Sequence, residues 1–332
     1  MKQLETINIL CGTDDNYAPY YGIMLTSLFE NNRDCFFFVY VFVDKSISEL
    51  NIKKFKRLEQ QYGHRIVLMP IDDERLAGCP INRLTHFDNH AYLNQTAYYR
   101  LFVAELLPET VRKIIYFDGD IVINGDIKPL WNVDLTGKAI ACVRDCYVLD
   151  KQTDDRLGYP SEEGYFNGGM AVYNLDYWRE HHVSERIFGY IKENAARLKY
   201  MDQDVVNGVL WAEKVFVPER FNFQVVYFAP YFWQDYSDVF RRTLVSECKQ
   251  AVVIHYCCIL KAWDFRYYGG PFYTIWENYR KVSLWRSAHI TKPLHTYAKF
   301  VLKRLLFQKK LLKQRQSIWV VNPENEVCYQ YK

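Results

Sequence analysis

The amino-acid sequence predicts an α/β fold built on a parallel, doubly wound sheet. Over residues 7–72, runs of Val, Ile and Phe alternate with segments whose apolar residues recur at helical spacing. The chain has 332 residues, of which 49% are hydrophobic, so it can bury a large core. Strands and helices that alternate at this spacing are typical of doubly wound sheets, whose ligands bind beyond the carboxyl ends of the strands.

The first part of the chain predicts three strands and two helices. The strands are predicted at residues 7–11, 36–43 and 65–71, and the helices at residues 17–31 and 46–62. Ser46 is followed three residues later by Glu49, which predicts a capping box at the start of the second helix.

The pattern continues with longer intervals beyond residue 90. Helices are predicted at residues 94–106 and 202–211, strands at residues 113–117, 166–174 and 251–257, and a mixture of short strands and turns at residues 121–155. No internal repeat or Pro/Ser-rich linker occurs before about residue 283. We therefore expect a catalytic-size domain over residues 1–277 and a distinct C-terminal segment over residues 278–332.

The charge of the chain is unevenly distributed. The formal net charge is +3, but residues 278–323 contain eleven Lys or Arg and no Asp or Glu, so the rest of the chain carries −8. A helix over residues 294–315 would be amphipathic. Its apolar face would carry Leu294, Ala298, Val301, Leu305 and Leu312, and its opposite face Lys299, Lys303 and Lys310.

This basic segment predicts attachment to an anionic membrane surface through residues 294–315, because each basic residue near such a surface contributes about 1 kcal/mol. One alternative is that the apolar stripe packs on the catalytic domain. A second alternative is nucleic-acid binding, but no nucleic-acid motif accompanies the charge, so no nucleic-acid partner is expected.

Several classes of protein are disfavoured by what the sequence lacks. Of the fifteen glycines, no two lie two residues apart, so neither a G-x-G-x-x-G dinucleotide loop nor a G-x-S-x-G nucleophile elbow is present. Neither a P-loop nor an H-E-x-x-H motif occurs, and the apolar runs are far shorter than the roughly 20 residues of a membrane span. The nine cysteines form no C-x-x-C pair, which favours reduced thiols. We expect a cytoplasmic protein, peripheral on the inner face of the plasma membrane.

Asp118 and Asp120 are the first candidates for a metal site. They flank a glycine directly after the apolar run at residues 114–117, so both carboxylates can point to one place at a strand end. Two carboxylates at one place favour a hard divalent cation that bridges phosphates. The alternative is coincidence, since a chain with 21 Asp contains about one D-x-D by chance, and Asp202 with Asp204 is a second example.

Polar residues follow the first predicted strand. Asp14, Asp15 and Asn16 precede Tyr17 at the start of the first helix. One of them could simply cap the helix. Alternatively, the carboxylate and amide groups could hydrogen-bond a nucleoside while Tyr17 stacks on its base. The residues alone leave both interpretations open.

His255 ends the predicted strand at residues 251–257, and Lys261 and Trp263 follow it closely. A lone His on an apolar strand is more often a hydrogen-bonded core residue. Imidazole is, however, a frequent ligand of a borderline cation such as Mn²⁺, and a metal-bound diphosphate would need a lysine such as Lys261 to share its charge.

Seven motifs follow one another along residues 5–265. They are Asp14-Asp15-Asn16-Tyr17, Thr96-x-x-x-Arg100-Leu101, Asp118-Gly119-Asp120, Phe166-Asn167-Gly168-Gly169, Asp202-Gln203-Asp204, Arg220-Phe221-Asn222 and His255-Tyr256-x-x-x-x-Lys261-x-Trp263. In their order and approximate spacing they resemble glycosyltransferase family 8, in particular its bacterial lipopolysaccharide and lipooligosaccharide α-galactosyl- and α-glucosyltransferases.

The resemblance implies a GT-A nucleotide-sugar transferase fold with a mixed, mostly parallel Rossmann-like sheet. It also implies Mn²⁺ or alternatively Mg²⁺, a UDP-hexose donor, a saccharide or glycolipid acceptor, and retention of anomeric configuration. It further implies roles for individual residues. Metal ligands would be Asp118, Asp120 and His255; Lys261 would contact the diphosphate; Asp14, Asn16 and Tyr17 would hold uridine; and Arg100, Asp145, Asn167, Gly168, Asp202 and Gln203 would contact the donor sugar, with Gln203, Asp202, Asp145 and Arg100 nearest the reaction.

Retention could proceed by substitution on one face of the sugar or through a covalent intermediate. The resemblance puts Gln203, a poor nucleophile, nearest the face opposite UDP, which favours the same-face substitution. A metal-dependent nucleotidyltransferase and a non-catalytic membrane-associated binding protein are the alternative functions. Two positions depart from the family pattern, because Cys258 and Ala262 stand where glycine and proline are common, and the acceptor expectation depends on them most.

Overall fold

The centre of the molecule is a seven-stranded mixed sheet. The computed structural model describes residues 4–80, 95–146, 156–257, 261–264, 267, 270–288, 302, 321–322 and 327–328. The strands of the sheet are β1 Glu5–Thr13, β2 Cys35–Val43, β3 Arg65–Pro70, β4 Lys113–Phe117, β6 Ile140–Arg144, β7 Phe166–Asn174 and β8 Lys214–Phe216. Their order is β3-β2-β1-β4-β7-β6-β8. Only β7 runs antiparallel to its neighbours, so the predicted mixed, mostly parallel sheet is confirmed.

Helices cover both faces of this sheet. The α-helices of the described chain are α1 Ala18–Asn31, α2 Glu49–Tyr62, α3 Val103–Leu106, α4 Lys128–Trp131, α5 Leu175–Glu180, α6 Val183–Asn194, α7 Met201–Leu210, α8 Pro230–Trp233, α9 Asp238–Cys248 and α10 Tyr273–Val282. Successive residues of β1 point to opposite faces. Ile9 accordingly joins the apolar core under α1 and α2, whereas Leu10 joins the core under α6 and α7.

The predicted capping box of α2 is wrong. The N-cap is Ser48, whose hydroxyl accepts a hydrogen bond from the Asn51 backbone N–H at 3.3 Å. The Ser46 hydroxyl instead donates to Asp44 at 2.6 Å. Two serines compete for one cap, and the helix begins at the second because the first is used in the turn after β2. The helix ends at Gly63, whose φ of 71° suits glycine.

The helix predicted at residues 94–106 differs in type. It consists of a 3₁₀ helix at Gln95–Phe102 followed by the single α-helical turn α3. The other 3₁₀ segments are Asp73–Leu76, Glu219–Phe221, Val225–Phe228, Ser161–Glu163 and Ala195–Arg197. The helix predicted at residues 202–211 is shifted by one residue, since α7 is Met201–Leu210, and the strand predicted at residues 251–257 was too long, since it comprises only Val253–His255.

A small second sheet contains this last strand. Its members are β5 Ile121–Ile123, β9 Phe223–Gln224 and β10 Val253–His255, in the order β5-β10-β9. β5 and β10 are antiparallel, and His255 pairs with Ile121. Residues 118–120 link β4 of the large sheet to β5 of the small one, so the register of β5 and β10 brings His255 beside Asp120.

The predicted boundary between residues 277 and 278 falls inside α10. Beyond it, Trp285 is buried in the apolar core, packs against Phe55 of α2 at 5.1 Å between ring centroids, and donates its indole N–H to Asn51 at 2.7 Å. The chain therefore continues against the catalytic body up to this tryptophan.

The predicted amphipathic helix at residues 294–315 lies outside the described residues except for Leu302, which is helical and 58% exposed. Its attachment to a membrane stays a prediction. In the described part of the chain, no helix is long and apolar enough to cross a membrane. Near the C-terminus, β11 Val321–Asn322 and β12 Val327–Cys328 form an antiparallel pair.

Candidate active site

Asp118, Asp120 and His255 meet at the junction of the two sheets. One potential ligand atom from each lies within 4.8 Å of the other two. Asp118 follows β4, and its backbone N–H donates to the Gly169 carbonyl of β7 at 2.8 Å. Asp120 is tied to the small sheet, because its carbonyl accepts from the Tyr256 backbone N–H at 2.9 Å. The sequence prediction that these three side chains converge is confirmed.

Two glycines allow this close approach. A Cβ on Gly169 would lie 2.1 Å from Cε1 of His255, and a Cβ on Gly119 would lie 2.9 Å from the ring of Tyr21. Contacts this short do not occur between carbon atoms, so a side chain at either position would displace an aromatic ring or the backbone.

Asp120, His255 and Lys261 form a largely buried cluster of charged groups. Nε2 of His255 lies 3.2 Å from Asp120, and the ammonium of Lys261 pairs with the other oxygen of the same carboxylate. Burial opposes ionisation of Asp120, but the charges of Lys261 and His255 outweigh it and hold the pKa of this carboxyl well below its usual range. Burial likewise opposes protonation of His255, but Asp120 raises the pKa of this imidazole to about 9.

This triad fits a divalent cation. Two carboxylates and one imidazole are a common ligand set for such ions. The charge of a cation at this place would substitute for the proton on His255 and for the ammonium of Lys261, which now neutralise Asp120. Lys261, predicted to contact a diphosphate, is thus beside the triad and is held there by Asp120 and by the Tyr256 carbonyl at 3.3 Å.

Arg100 links this triad to Asp202. Its guanidinium is buried, lies 2.8 Å from Asp118 and 2.9 Å from Asp202, and stacks on the ring of Tyr116 at 3.8 Å. It also donates to the Gly168 carbonyl. Burial raises the pKa of Asp202 to about 6 although Arg100 acts against this shift. Arg100, predicted as a sugar contact, directs its donors at protein groups.

The remaining predicted donor-sugar residues are gathered next to Arg100. Asp145 accepts hydrogen bonds from the Asn167 amide at 2.8 Å and the Gln203 amide at 3.2 Å. Gln203 in turn accepts the backbone N–H of Gly168 at 2.8 Å. The strand end of β6, the start of β7 and the first turn of α7 therefore form one continuous hydrogen-bonded wall.

Asp204 has a structural position. It is fully buried and accepts both guanidinium N–H groups of Arg156, at 2.6 and 2.8 Å, and the Tyr165 hydroxyl at 2.8 Å. The backbone N–H groups of Lys199 and Tyr200 complete its partners. Of this second D-x-D, Asp202 contacts Arg100 beside the triad, whereas Asp204 is bound by Arg156.

The acidic residues of the turn between β1 and α1 hydrogen-bond within the protein, but none of the turn's polar side chains caps α1, whose N-cap is Tyr17. Asp14 accepts the Tyr17 backbone N–H at 2.8 Å, and Asp15 accepts hydrogen bonds from the Ser48 backbone and the Asn51 amide, at 2.8 and 2.7 Å. Asn16 is exposed, and Tyr17 is 40% exposed with its ring edge-on to Trp263 at 5.8 Å. Their predicted contacts to uridine stay a prediction.

The family of the chain follows from comparison with known proteins. A model of glycosyl transferase family 8 matches residues 8–266. The chain belongs to this family. It is therefore a glycosyltransferase, and sugar transfer is its reaction.

Individual members of the family are similar over most of the chain. Lipopolysaccharide 1,2-glucosyltransferase of Escherichia coli strain K12 is 28% identical over 260 residues, covering 78% of this chain and 73% of that protein. Lipopolysaccharide 1,3-galactosyltransferase of Salmonella typhimurium is 28% identical over 225 residues, which cover 66% of this chain and 64% of that protein. The crystal structure of the galactosyltransferase LgtC with donor and acceptor sugar analogues superposes with a TM-score of 0.71 at 24% identity, covering 88% of this chain and 100% of that one. The GT-A fold is confirmed.

Three residues of this glycosyltransferase contact the predicted site residues but were given no role from the sequence. Tyr116 donates its hydroxyl to Asp118, Gly169 faces His255, and Asn222 hydrogen-bonds Nδ1 of His255 at 2.9 Å. Gly169 and Asn222 belong to the family motifs, so the motifs carried a signal. Tyr116 lies in an apolar strand pattern that predicts only burial. Of the two positions that depart from the family pattern, Ala262 is buried and Cys258 lies outside the described residues.

Proposed function

We propose that this glycosyltransferase moves a hexose, galactose or glucose, from a UDP-hexose to a saccharide acceptor with retention of anomeric configuration. The observation that carries the proposal is the junction at Arg100, whose guanidinium contacts both Asp118 of the cation-binding triad and Asp202 of the adjacent hydrogen-bonded wall. In a nucleotide-sugar site, the cation-bound diphosphate and the sugar would lie next to each other, as the triad and the wall do on either side of Arg100.

The residues divide the work between leaving group and sugar. A divalent cation, Mn²⁺ or Mg²⁺, held by Asp118, Asp120 and His255 would supply positive charge to the departing UDP. Lys261, which is already beside Asp120, would turn to the diphosphate and share that charge. Asp14, Asn16 and Tyr17 would hold the uridine, since the exposed ring of Tyr17 faces the segment that carries Lys261.

The sugar would lie against Asp145, Asn167, Gly168, Asp202 and Gln203. As the bond to UDP breaks, positive charge develops at the anomeric carbon, and the carboxylates of Asp145 and Asp202 stabilise it. Arg100 would hold Asp118 and Asp202 in position between the two halves of the site. Its five N–H donors suit this fixed geometry.

Retention is proposed to proceed on one face, with a UDP oxygen accepting the proton of the acceptor hydroxyl. Asp204 supports this mechanism because its two oxygens are held by Arg156, Tyr165 and backbone N–H groups, which leaves it unsuited as a nucleophile. Gln203 is an amide and cannot form a stable glycosyl ester. A glycosyl ester trapped on Asp202 would contradict the same-face mechanism.

The acceptor is proposed to be a saccharide of the cell-surface glycan or lipopolysaccharide. The E. coli and Salmonella relatives are named as lipopolysaccharide glucosyl- and galactosyltransferases. A lipid-linked acceptor agrees with the eleven basic residues of residues 278–323. We propose that residues 294–315 hold the protein peripherally on the anionic inner face of the plasma membrane.

A panel of UDP-sugars tests the donor. Thermal stabilisation and UDP release are measured for UDP-galactose, UDP-glucose and other UDP-hexoses, each with Mn²⁺, with Mg²⁺ and with a chelator. We expect one donor to stabilise the protein and to yield UDP only with the cation, and ¹H NMR of the product to show the anomeric configuration of the donor. If no UDP-sugar stabilises the protein and Asp120→Asn behaves as the wild type, the proposal is wrong.

Truncation tests the membrane attachment. The shortened chain should end after Ala288, because Trp285 is part of the packed body. We expect it to lose sedimentation with vesicles rich in anionic lipid and to keep UDP release with a soluble acceptor. Unchanged sedimentation would assign residues 294–315 to packing on the catalytic domain.

A further inference from the structure

A buried chain of hydrogen bonds connects His255 to Asp145. Asn222 contacts Nδ1 of His255 through its amide oxygen at 2.9 Å, and its amide nitrogen donates to the Asn167 oxygen at 2.9 Å. The Asn167 amide nitrogen then donates to Asp145 at 2.8 Å. These four side chains are between 0% and 7% exposed, so water does not compete for the bonds.

The direction of each bond in this chain follows from its far end. A carboxylate such as Asp145 only accepts, so Asn167 must turn its NH₂ group toward it. The backbone N–H of Gly169 independently donates to the Asn167 oxygen at 3.0 Å. Both ends therefore fix the same orientation of the Asn167 amide.

The next two bonds follow from this orientation. The Asn167 oxygen can only accept from Asn222, so the NH₂ group of Asn222 faces Asn167 and its oxygen faces His255. Nδ1 of His255 must then carry the hydrogen, because an amide oxygen only accepts. Once a cation displaces the proton on Nε2, the atom nearest Asp120, this nitrogen offers its lone pair to the cation.

We propose that Asn222 is a positioning residue that fixes the tautomer and ring orientation of His255 for cation binding, and that the chain through Asn167 to Asp145 fixes Asn222. The inference rests on the proposed cation site at Asp118, Asp120 and His255. Partners of this kind on the second nitrogen of a metal-binding histidine contribute about 10- to 100-fold to metal affinity.

The test measures Mn²⁺ dissociation constants from the electron paramagnetic resonance signal of free Mn²⁺, without donor or acceptor. We expect Asn222→Ala to bind Mn²⁺ about 10- to 100-fold more weakly than the wild type. Asn222→Asp keeps an oxygen acceptor beside Nδ1 but loses the N–H donor to Asn167, so it should restore part of the affinity lost in Asn222→Ala. A merely structural asparagine would show no such rescue.

Asn32→Ala is the matched control. Asn32 is equally buried and makes several hydrogen bonds, but its partners are Leu28, Gly125 and Ile127, away from the triad. We expect this variant to be destabilised and to bind Mn²⁺ as the wild type does. Equal Mn²⁺ affinity of Asn222→Ala and the wild type would overturn the inference.

A measurement on the wild-type protein does not depend on any variant folding. With saturating Mg²⁺, ¹⁵N NMR of labelled His255 should show the hydrogen on Nδ1. A hydrogen on Nε2 would overturn the inference. The proposed function is judged separately, by UDP release from the wild type. If the wild type binds neither cation, the proposed function fails, and the inference fails with it.

Discussion

Gly169 shows how a single absent side chain shapes the cation site. The imidazole of His255 occupies the space that a Cβ at this position would take, at 2.1 Å from Cε1. We expect Gly169→Ala to displace His255 and to weaken Mn²⁺ binding by at least tenfold, because the ring can no longer face Asp120. Mn²⁺ affinity and thermal stability should be measured together.

Gly189 provides the matched control for this substitution. It lies inside α6, and a Cβ there would meet nothing within 4 Å. Gly189→Ala should leave Mn²⁺ affinity unchanged and stabilise the protein by about 0.5–1 kcal/mol, since alanine restricts the unfolded chain more than glycine. Wild-type affinity in Gly169→Ala would show that His255 does not need its observed position.

His64 makes stability depend on pH. Its ring packs on Phe29 at 4.2 Å between centroids, Nδ1 accepts the Phe37 backbone N–H at 3.4 Å, and burial lowers the pKa of this imidazole to about 4. The unfolded chain binds a proton below about pH 6.5, whereas the folded protein does so only below about pH 4. The contribution of the neutral His64 to the free energy of unfolding is therefore complete above about pH 6.5 and is lost as the pH falls from about 6.5 to about 4.

Urea unfolding between pH 4 and 7 measures this effect. His64→Gln keeps a hydrogen-bond acceptor and removes the titration, so its free energy of unfolding should fall less steeply with decreasing pH than that of the wild type. Identical pH profiles would contradict the assignment.

At the level of residues, the sequence predicted which side chains converge better than it predicted the residues that support them. The convergence of Asp118, Asp120 and His255 was predictable because each lies at or just beyond the end of a strand and because the motifs that contain them match a family. Tyr116 was not assigned, because its place in an apolar strand pattern predicts only burial. Asn222 was not assigned, because a buried asparagine is functional or structural according to a neighbour that is distant along the chain. Asn222 and Asn167, for example, are 55 residues apart.

Among the elements, α7 owes its position to Asp204. The carboxylate holds the backbone N–H groups of Lys199 and Tyr200 just before the helix, while Arg156 and Tyr165 approach from other segments. The first turn of α7 carries Asp202 and Gln203. Asp204 thus fixes the helix that presents both of these side chains.

Removing the charge of Asp204 should be costly. We expect Asp204→Asn to lower the free energy of unfolding by about 3–5 kcal/mol, because it leaves Arg156 without its charged partner. Asp238→Asn is the control, since Asp238 pairs with Arg241 on an exposed part of α9 at 3.4 Å, and this loss should cost under about 0.5 kcal/mol. Similar unfolding curves for the two variants would contradict the role given to Asp204.

The elements themselves were predictable where one local signal dominated. Runs of Val, Ile and Phe predicted β1, β2 and β3, because β-branched and aromatic residues pack well in a buried sheet. The start of α2 was misplaced because Ser46 and Ser48 offer the same local cap, and only the turn after β2 distinguishes them. The 3₁₀ geometry of Gln95–Phe102 has no signal in apolar spacing, which is similar for both kinds of helix.

For the whole molecule, Trp285 packs the end of the described catalytic body against α1 and α2. Its ring fills the place that a Cβ on Gly22 would need, at 2.2 Å, and it packs beside Phe55. The sequence placed the division eight residues earlier, because charge changes at that point whereas packing does not. Charge composition is thus a poor guide to where a core ends.

Trp285→Ala should therefore destabilise the entire body. We expect a loss of about 3–5 kcal/mol in the free energy of unfolding, as for other buried aromatic residues. Val282→Ala, at a largely exposed position on α10, should cost little. Hydrogen exchange of α10 should rise in Trp285→Ala, and unchanged protection would show that the segment is not part of the core.

The central claim is that Asp118, Asp120 and His255 together hold the cation that activates a nucleotide-sugar donor. Anomalous scattering at the manganese absorption edge, from crystals grown with Mn²⁺ and an unreactive UDP-hexose analogue, tests it most directly. We predict a peak about 2.0–2.3 Å from an oxygen of each aspartate and from Nε2 of His255, next to the diphosphate. A manganese peak elsewhere, or a bound analogue without manganese at this triad, would contradict the claim.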